Sequence, residues 1–417
     1  MQLTKNAAYL FAARIVNALS MMALILIISR EMGPDIFGGY SFLNAVIMTG
    51  VVLATFGLDT FMVREMSHDS SLGGQLLSSV LGFKLLSSLV VMAGIFSLFW
   101  VFLEDLAMMR LLCLFSLVIC LNALSQSFWY YGHALQQFQV HAALWASSNL
   151  IKVPLVWFFI SLRQDLSMVV YALILAEVIS LIVGAYWVRH RFRLNQRIVS
   201  FKSVPTLLRK GWPLATVLIL SAIYFRIDVM MLEVIKGERA VGIYSSAYKL
   251  IEFLCIIPGT VTIAALPGLT VDYFNNIEGF RVNFYKTVTV LGIGGAAIGV
   301  FLYLFSEKIV LTLYGPLFHD SMFSLSILAG AVFFFFVNGY LAYVTIASNN
   351  DKAVVLILVI STLLNVTLNF YLIPRYSHVG AAIATLVSEI LMLFCYIVLF
   401  VKKDIFSAEN VPSSEPA

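Results

Sequence analysis

The chain has 417 residues, of which 61% are hydrophobic and 12% charged, with a formal net charge of +4 and a mean hydropathy of +0.95. A soluble domain carries roughly 45–50% apolar and about 25% charged residues, so this composition excludes a water-soluble enzyme, a nucleic-acid binder and a disordered chain. What remains is an all-α polytopic membrane protein, whose backbone polar groups pair inside helices because lipid offers them no partner.

A crossing needs about 20 mostly apolar residues. Twelve such stretches are predicted, at 7–29, 38–61, 76–101, 107–130, 140–162, 167–188, 212–235, 241–268, 284–305, 323–347, 353–373 and 378–401. The N-terminal MQLTKNAAYLFAARIVNA runs into a span of full length without a small-residue cleavage site, so a retained first helix is expected rather than a signal peptide. The connections are short. The longest, RHRFRLNQRIVSFKSVPTLLRKG at 189–211, is strongly basic and leaves no room for a separate catalytic domain. The end, DIFSAENVPSSEPA at 404–417, reads as a disordered tail. With the N-terminus inside, the inner segments carry about twice the Lys and Arg of the outer ones, which places both termini in the cytoplasm.

MGPDIFGGYSF at 32–42 and KGERAVGIYSS at 236–246 match at a single offset of 204 residues, pairing Gly33 with Gly237, Gly38 with Gly242, Tyr40 with Tyr244 and Ser41 with Ser245. Six spans fit within that offset, and six is even, so the two halves share one orientation. The expectation is two parallel six-helix repeats around a central cavity: 1–188, a basic linker at 189–211, and 212–403. Such repeats occur in transporters whose halves rock about a central site.

Ionisable groups at bilayer depth are costly and usually face a bundle interior or a water-filled cavity. Arg14, Lys84, Lys152, Arg226 and Lys249 lie on five different spans. At 1.5 Å per residue they fall at staggered depths, about 10 to 21 Å from the face by which each span enters. If they share one cavity they form a cationic lumen that attracts an anion. The competing expectation is that they are structural ion pairs or reach to the interface; Lys249 and Glu252, at i and i+3, can pair on one helix face. Asp228 and Glu252 are the candidate proton or sodium sites, while Glu177 and Glu389 are candidate counter-charges. Pro258-Gly259 and Pro267-Gly268 interrupt span eight and predict a kink. Asn365 and Asn369 share a face of span eleven, where interhelical hydrogen bonding is expected. The four cysteines and six histidines are scattered, so no disulfide, metal site or bound cofactor is expected. The histidines read as solvated surface, and Trp129, Tyr130 and Tyr131 as an interfacial belt.

Several stretches resemble the Wzx-type O-antigen flippases of the multidrug/oligosaccharidyl-lipid/polysaccharide exporter superfamily. They are MGPDIFGGYSF (32–42), FGLDTFMVREMS (56–67), LLRKGWPL (207–214), AVGIYSSAYKLIE (240–252) and LLNVTLNFYLIPRYSHVGAAIATLVSE (363–389). The resemblance implies a V-shaped bundle of two six-helix halves. It also implies flipping of an undecaprenyl-pyrophosphate-linked glycan across the bacterial inner membrane by alternating access, in some members coupled to an ion gradient. A glycan polymerase and a chain-length regulator are the implied partners. Asp59, Arg64 and Glu65 match the GLDTxxVRE pattern and are candidate gate or packing residues at the inner end of span two. The competing function is an ion-coupled multidrug or metabolite antiporter of the same fold, which would favour a smaller site dominated by carboxylates.

Overall fold

The computed structural model describes residues 2–69, 73–103, 105–192, 201 and 204–403. The tail at 404–417 and residues 193–200 and 202–203 of the basic linker lie outside the described residues. The chain forms two compact units, Met1–Arg226 and Ile227–Ala417. The first contains α1 (Gln2–Thr55), α2 (Leu58–His68), α3 (Gly73–Phe102), α4 (Leu106–Phe115), α5 (Leu117–Ala134), α6 (Phe138–Leu150), α7 (Lys152–Leu162), α8 (Leu166–Phe192) and α9 (Val204–Tyr224). The second contains α10 (Ile227–Lys236), α11 (Glu238–Leu254), α12 (Ile256–Asn275), α13 (Ile277–Leu304), α14 (Ser306–Leu313), α15 (Ser321–Ala347) and α16 (Asp351–Lys403). The stretch predicted as span seven is therefore split at Arg226, and its first part packs with α1, α2 and α3 of the first unit.

Among the described residues, ten helical segments are long and apolar enough to cross a membrane. Two of them, Tyr9–Ser67 and Asp351–Lys403, run for 59 and 53 residues. At 1.5 Å per residue each would extend about 80 Å or more if straight, far beyond a hydrocarbon core of about 30 Å. The first is broken at Gly33 (φ 73°, ψ −179°) and again at Phe56 and Gly57 (φ 51° and 66°), between α1 and α2; the second is broken at Ser377 (φ 51°, ψ −133°). The loops expected at 30–37 and 374–377 thus shrink to single-residue breaks. Large apolar side chains are widely exposed, among them Val101 (76%), Leu304 (68%) and Ile293 (67%). That much exposed apolar surface suits lipid and not water.

Gly237 (φ 82°, ψ −180°) has nearly the same backbone as Gly33. This region of φ/ψ space is essentially restricted to glycine. The two glycines paired by the 204-residue offset therefore make the same turn before α11 and before the second arm of α1. Two other breaks come from proline. Pro154 and Pro258 have no N–H to give to the carbonyls of Leu150 and Leu254, four residues back. The helix is interrupted three residues before each proline, at Ile151 between α6 and α7 and at Cys255 between α11 and α12. The predicted kink in span eight is present, but one turn earlier than Pro258, and α12 continues through Gly268.

Close packing uses small residues in the second unit. A Cβ added to Gly299 on α13 would lie 2.5 Å from the carbonyl oxygen of Ala329 on α15, so glycine permits that approach. The first unit is held by an apolar cluster including Leu58, Met62, Val80, Phe83, Phe128 and Leu207. Ser377 supplies a direct test of the break in α16. A non-glycine residue there costs of order 1–3 kcal/mol, and glycine adds back roughly 0.5–1 kcal/mol of chain entropy. Ser377→Gly is expected to stabilise the purified protein by about 1 kcal/mol, whereas Gly33→Ala and Gly237→Ala destabilise it. A thermal unfolding midpoint lowered by Ser377→Gly would refute the strained turn.

Candidate functional site

The first unit contains a partly open cavity of about 210 Å³. Each wall is one face of a helix, set by the i, i+4, i+7 repeat. Asn122, Gln126 and Trp129 come from α5. Trp145 and Asn149 on α6 continue at the same spacing into Lys152 at the start of α7. Asn17 and Ser20 come from the first arm of α1, Tyr40 and Asn44 from its second arm, and Leu173 and Glu177 from α8.

The cavity's polar groups are linked to one another. The Lys152 ammonium lies 2.7 Å from Glu177 Oε1, with the two side chains 14% and 1% exposed. Asn122 Nδ2 donates to the same Oε1 at 3.1 Å, and Gln126 Nε2 donates to Asn122 Oδ1 at 2.7 Å. Lys152 also donates to Asn149 Oδ1 at 3.2 Å. Two buried atoms of lining residues have no partner, the acceptor Glu177 Oε2 and the donor Trp129 Nε1. The His141 ring donates from Nδ1 to the Trp129 carbonyl at 3.0 Å and ties the end of α5 to α6. His141 is thus a buried helix tie, and Trp129 is 95% buried against the cavity instead of lying in an interfacial belt.

The cations expected to share a lumen have different fates. Lys152 lines the cavity with its counter-charge Glu177. Arg14 is half-buried one helical turn before Asn17 and does not line the cavity. Lys84 is withdrawn altogether: it is fully buried, and its ammonium donates to Asp59 Oδ1 at 2.6 Å, Asp59 Oδ2 at 2.8 Å and the Ala123 carbonyl at 2.8 Å. An ammonium has three donors, so Lys84 holds none in reserve for an anion. Arg226 is half-buried at the end of the first unit, donating to the Ala222 carbonyl at 3.4 Å. Lys249 pairs with Glu252 at 2.6 Å on α11, so that carboxylate is already engaged by a cation. Of the candidate gate residues, Asp59 is the buried partner of Lys84, Glu65 is half-buried and Arg64 is exposed.

The second unit holds a different polar site. Asp228, near the start of α10, is 4% exposed. Its Oδ2 accepts from Tyr244 Oη at 2.8 Å and from Thr385 Oγ1 at 2.6 Å, and its Oδ1 accepts from Asn369 Nδ2 at 2.6 Å. Asn369 Nδ2 also donates to Asn365 Oδ1 at 2.9 Å, and Asn369 Oδ1 is buried without a partner. Among the described residues no Lys or Arg pairs with Asp228. The expected hydrogen bonding of Asn365 and Asn369 is present, and it converges on this carboxylate. Tyr40 and Tyr244, matched by the 204-residue offset, each stand at the polar site of their own unit.

The site residues not singled out from sequence are the amide and tryptophan stripes of α5 and α6, together with Tyr244 and Thr385. The stripes carried a readable signal in their i, i+4, i+7 spacing. The approach of Thr385 to Asp228 spans 157 residues of chain and leaves no local signal.

Comparisons with known proteins agree with this architecture. The "Capsular polysaccharide biosynthesis protein CapF" of Staphylococcus aureus is 22% identical over 403 residues, covering 94% of this chain and 98% of that one. A "Putative O-antigen transporter" of Escherichia coli is 22% identical over 399 residues, covering 94% and 95%. The solved structure "Lipid II flippase MurJ, inward closed conformation" superposes with a TM-score of 0.75 at 14% identity, covering 98% of this chain and 90% of that one. The likeness establishes a polytopic helical fold. The family described as "Polysaccharide biosynthesis protein" matches residues 3–270, more than half of the sequence, and the chain belongs to that family.

Proposed function

We propose that the protein is a flippase and not an enzyme, moving a lipid-linked oligosaccharide across the bacterial inner membrane by alternating access. The observation that carries this reading is the family match over residues 3–270, together with full-length relatives whose names specify O-antigen transport and capsular polysaccharide synthesis. Counting the two long, broken helices as two crossings each gives twelve passes. In this topology both termini are cytoplasmic, and the six-helix halves 1–188 and 212–403 are joined by the basic linker at 189–211. The identical backbone turns at Gly33 and Gly237 support the duplication.

A sugar-phosphate headgroup cannot cross hydrocarbon unaided, because each unpaired polar group costs several kcal/mol there. A polar cavity inside a helical unit supplies those partners while the lipid tail stays in the bilayer. Asp228 is the candidate coupling site for a proton or a sodium ion, since it is a buried carboxylate surrounded by neutral oxygen-bearing side chains. Arg226 remains the candidate cation for the anionic part of the headgroup, whereas the Lys152 ammonium is held by Glu177. A glycan polymerase and a chain-length regulator are the expected partners.

The test is complementation of a flippase-null strain with surface glycan as the readout. The wild-type chain is expected to restore display, and Arg226→Ala to lower it while protein remains in the membrane. Lys152→Ala strands a buried Glu177, so Lys152→Ala with Glu177→Gln is the cleaner variant, and it too is expected to lower display. Failure of the wild-type chain to complement in strains supplying several different glycans would overturn the reading.

A further inference from the structure

We propose that the cavity of the first unit is a subsite for one neutral sugar ring of the headgroup, and that it does not hold the phosphates; this rests on the lipid-linked glycan reading. The first support is charge. The ionised residues lining the cavity are Lys152 and Glu177, in contact at 2.7 Å, so its formal charge is zero. A pyrophosphate would have to compete with Glu177 for the one ammonium and would sit beside a buried carboxylate. A neutral ligand meets no such conflict.

The second support is hydrogen-bonding capacity. Five carboxamides line the cavity: Asn17, Asn44, Asn122, Gln126 and Asn149. A carboxamide offers both donors and acceptors, which matches the paired donor and acceptor character of a sugar hydroxyl.

The third support is shape. Trp129 and Trp145 flank the amides, and the apolar C–H face of a pyranose stacks on an indole while its rim hydrogen-bonds around it. At about 210 Å³ the cavity is smaller than the roughly 300–1,000 Å³ of sites for drug-sized ligands, as suits a single ring.

The experiment is saturation-transfer NMR on the full-length protein in detergent. The probes are the methyl glycosides of glucose, galactose and N-acetylglucosamine, with glucuronic acid and inorganic pyrophosphate as anionic controls. At least one neutral glycoside is expected to bind saturably in the millimolar range. Trp145→Ala should weaken that binding about tenfold, the loss of roughly one stacking contact, while Trp145→Phe retains most of it. Gln126→Ala should weaken it as well. Glu177→Gln keeps the acceptor for Lys152 and Asn122 but leaves the cavity net positive, so it should gain a response to glucuronic acid that the wild type lacks. Circular dichroism and gel filtration establish that each variant is folded. The proposal is overturned if folded wild-type protein binds no neutral glycoside, if binding survives both Trp145→Ala and Gln126→Ala, or if pyrophosphate displaces the sugar. Sugar binding without complementation of a flippase-null strain would reject the flippase reading and leave the subsite standing. Complementation without sugar binding would do the reverse.

Discussion

Lys84→Ala is expected to destabilise the protein by about 3–5 kcal/mol, the usual cost of leaving one member of a buried ion pair alone. Asp59 on α2, Lys84 on α3 and the Ala123 carbonyl on α5 meet at a single ammonium, with both ionised side chains almost fully buried. Removing the ammonium leaves the Asp59 carboxylate without its cation in the first unit's interior. The midpoint of thermal unfolding in detergent should fall by roughly 6–20 °C, since about 1 kcal/mol moves a unit of this size by roughly 2–4 °C, and the protein should be depleted from the membrane. Replacing both partners with apolar residues of similar volume, Asp59→Leu with Lys84→Met, should recover most of the loss, because two desolvation costs vanish together with the attraction. A cation serving a transport lumen behaves in the opposite way. Its alanine variant stays in the membrane at normal levels and loses glycan display, and the double apolar variant loses display as well. Normal abundance and stability for Lys84→Ala would therefore overturn the structural role given to this pair.

The same contrast explains which parts of the molecule were legible in its sequence. A run of apolar residues is a one-dimensional signal, so the apolar helices lie close to where hydropathy places them. The breaks were legible in kind but not in place. Pro154 and Pro258 act on carbonyls four residues back, so the helix yields a turn earlier than the proline itself. Gly33 replaces an eight-residue loop with one turn that only glycine adopts easily. Charges were harder, because depth along a helix is readable and rotation about its axis is not. Lys249 and Glu252 pair within one turn of α11, and their i, i+3 spacing announces it. Of the five intramembrane cations read as one lumen, Lys84 and Lys152 find their carboxylates on other helices, Asp59 and Glu177. The amide stripe Asn122–Gln126–Trp129 was present in the sequence as spacing. That it faces Trp145–Asn149–Lys152 and Glu177 is a property of packing alone.

Asp228→Asn is expected to abolish ion-dependent behaviour while leaving the fold in place. Asparagine has nearly the shape of aspartate, and the surrounding donors, Tyr244 Oη, Thr385 Oγ1 and Asn369 Nδ2, can still reach its single carbonyl oxygen or pivot to neighbours. What disappears is the negative charge. Hard cations choose oxygen ligands, and a carboxylate among neutral oxygens sets the charge of such a site. Asn369 Oδ1, buried and without a donor, is a second oxygen available beside the carboxylate. If the coupling ion is sodium, saturating it at about 100 times its dissociation constant should stabilise the wild-type protein by about 2.7 kcal/mol, measured as a rise in the unfolding midpoint when choline chloride is replaced by sodium chloride at constant ionic strength. Asp228→Asn should remove that rise. Asn369→Leu and Thr385→Val should weaken apparent sodium affinity by roughly 10–100-fold, as loss of supporting groups does at other ion sites. If the ion is a proton, sodium has no effect on the wild type, and glycan display driven by an imposed pH gradient is lost in Asp228→Asn instead. Glu252→Gln separates this site from the other candidate acid, because Glu252 is held by Lys249 on a partly exposed face and its loss should spare both responses. A wild type that responds to neither ion, or an Asp228→Asn variant that retains the response, would remove Asp228 from the transport cycle and leave its hydrogen bonds as a means of joining α10, α11 and α16.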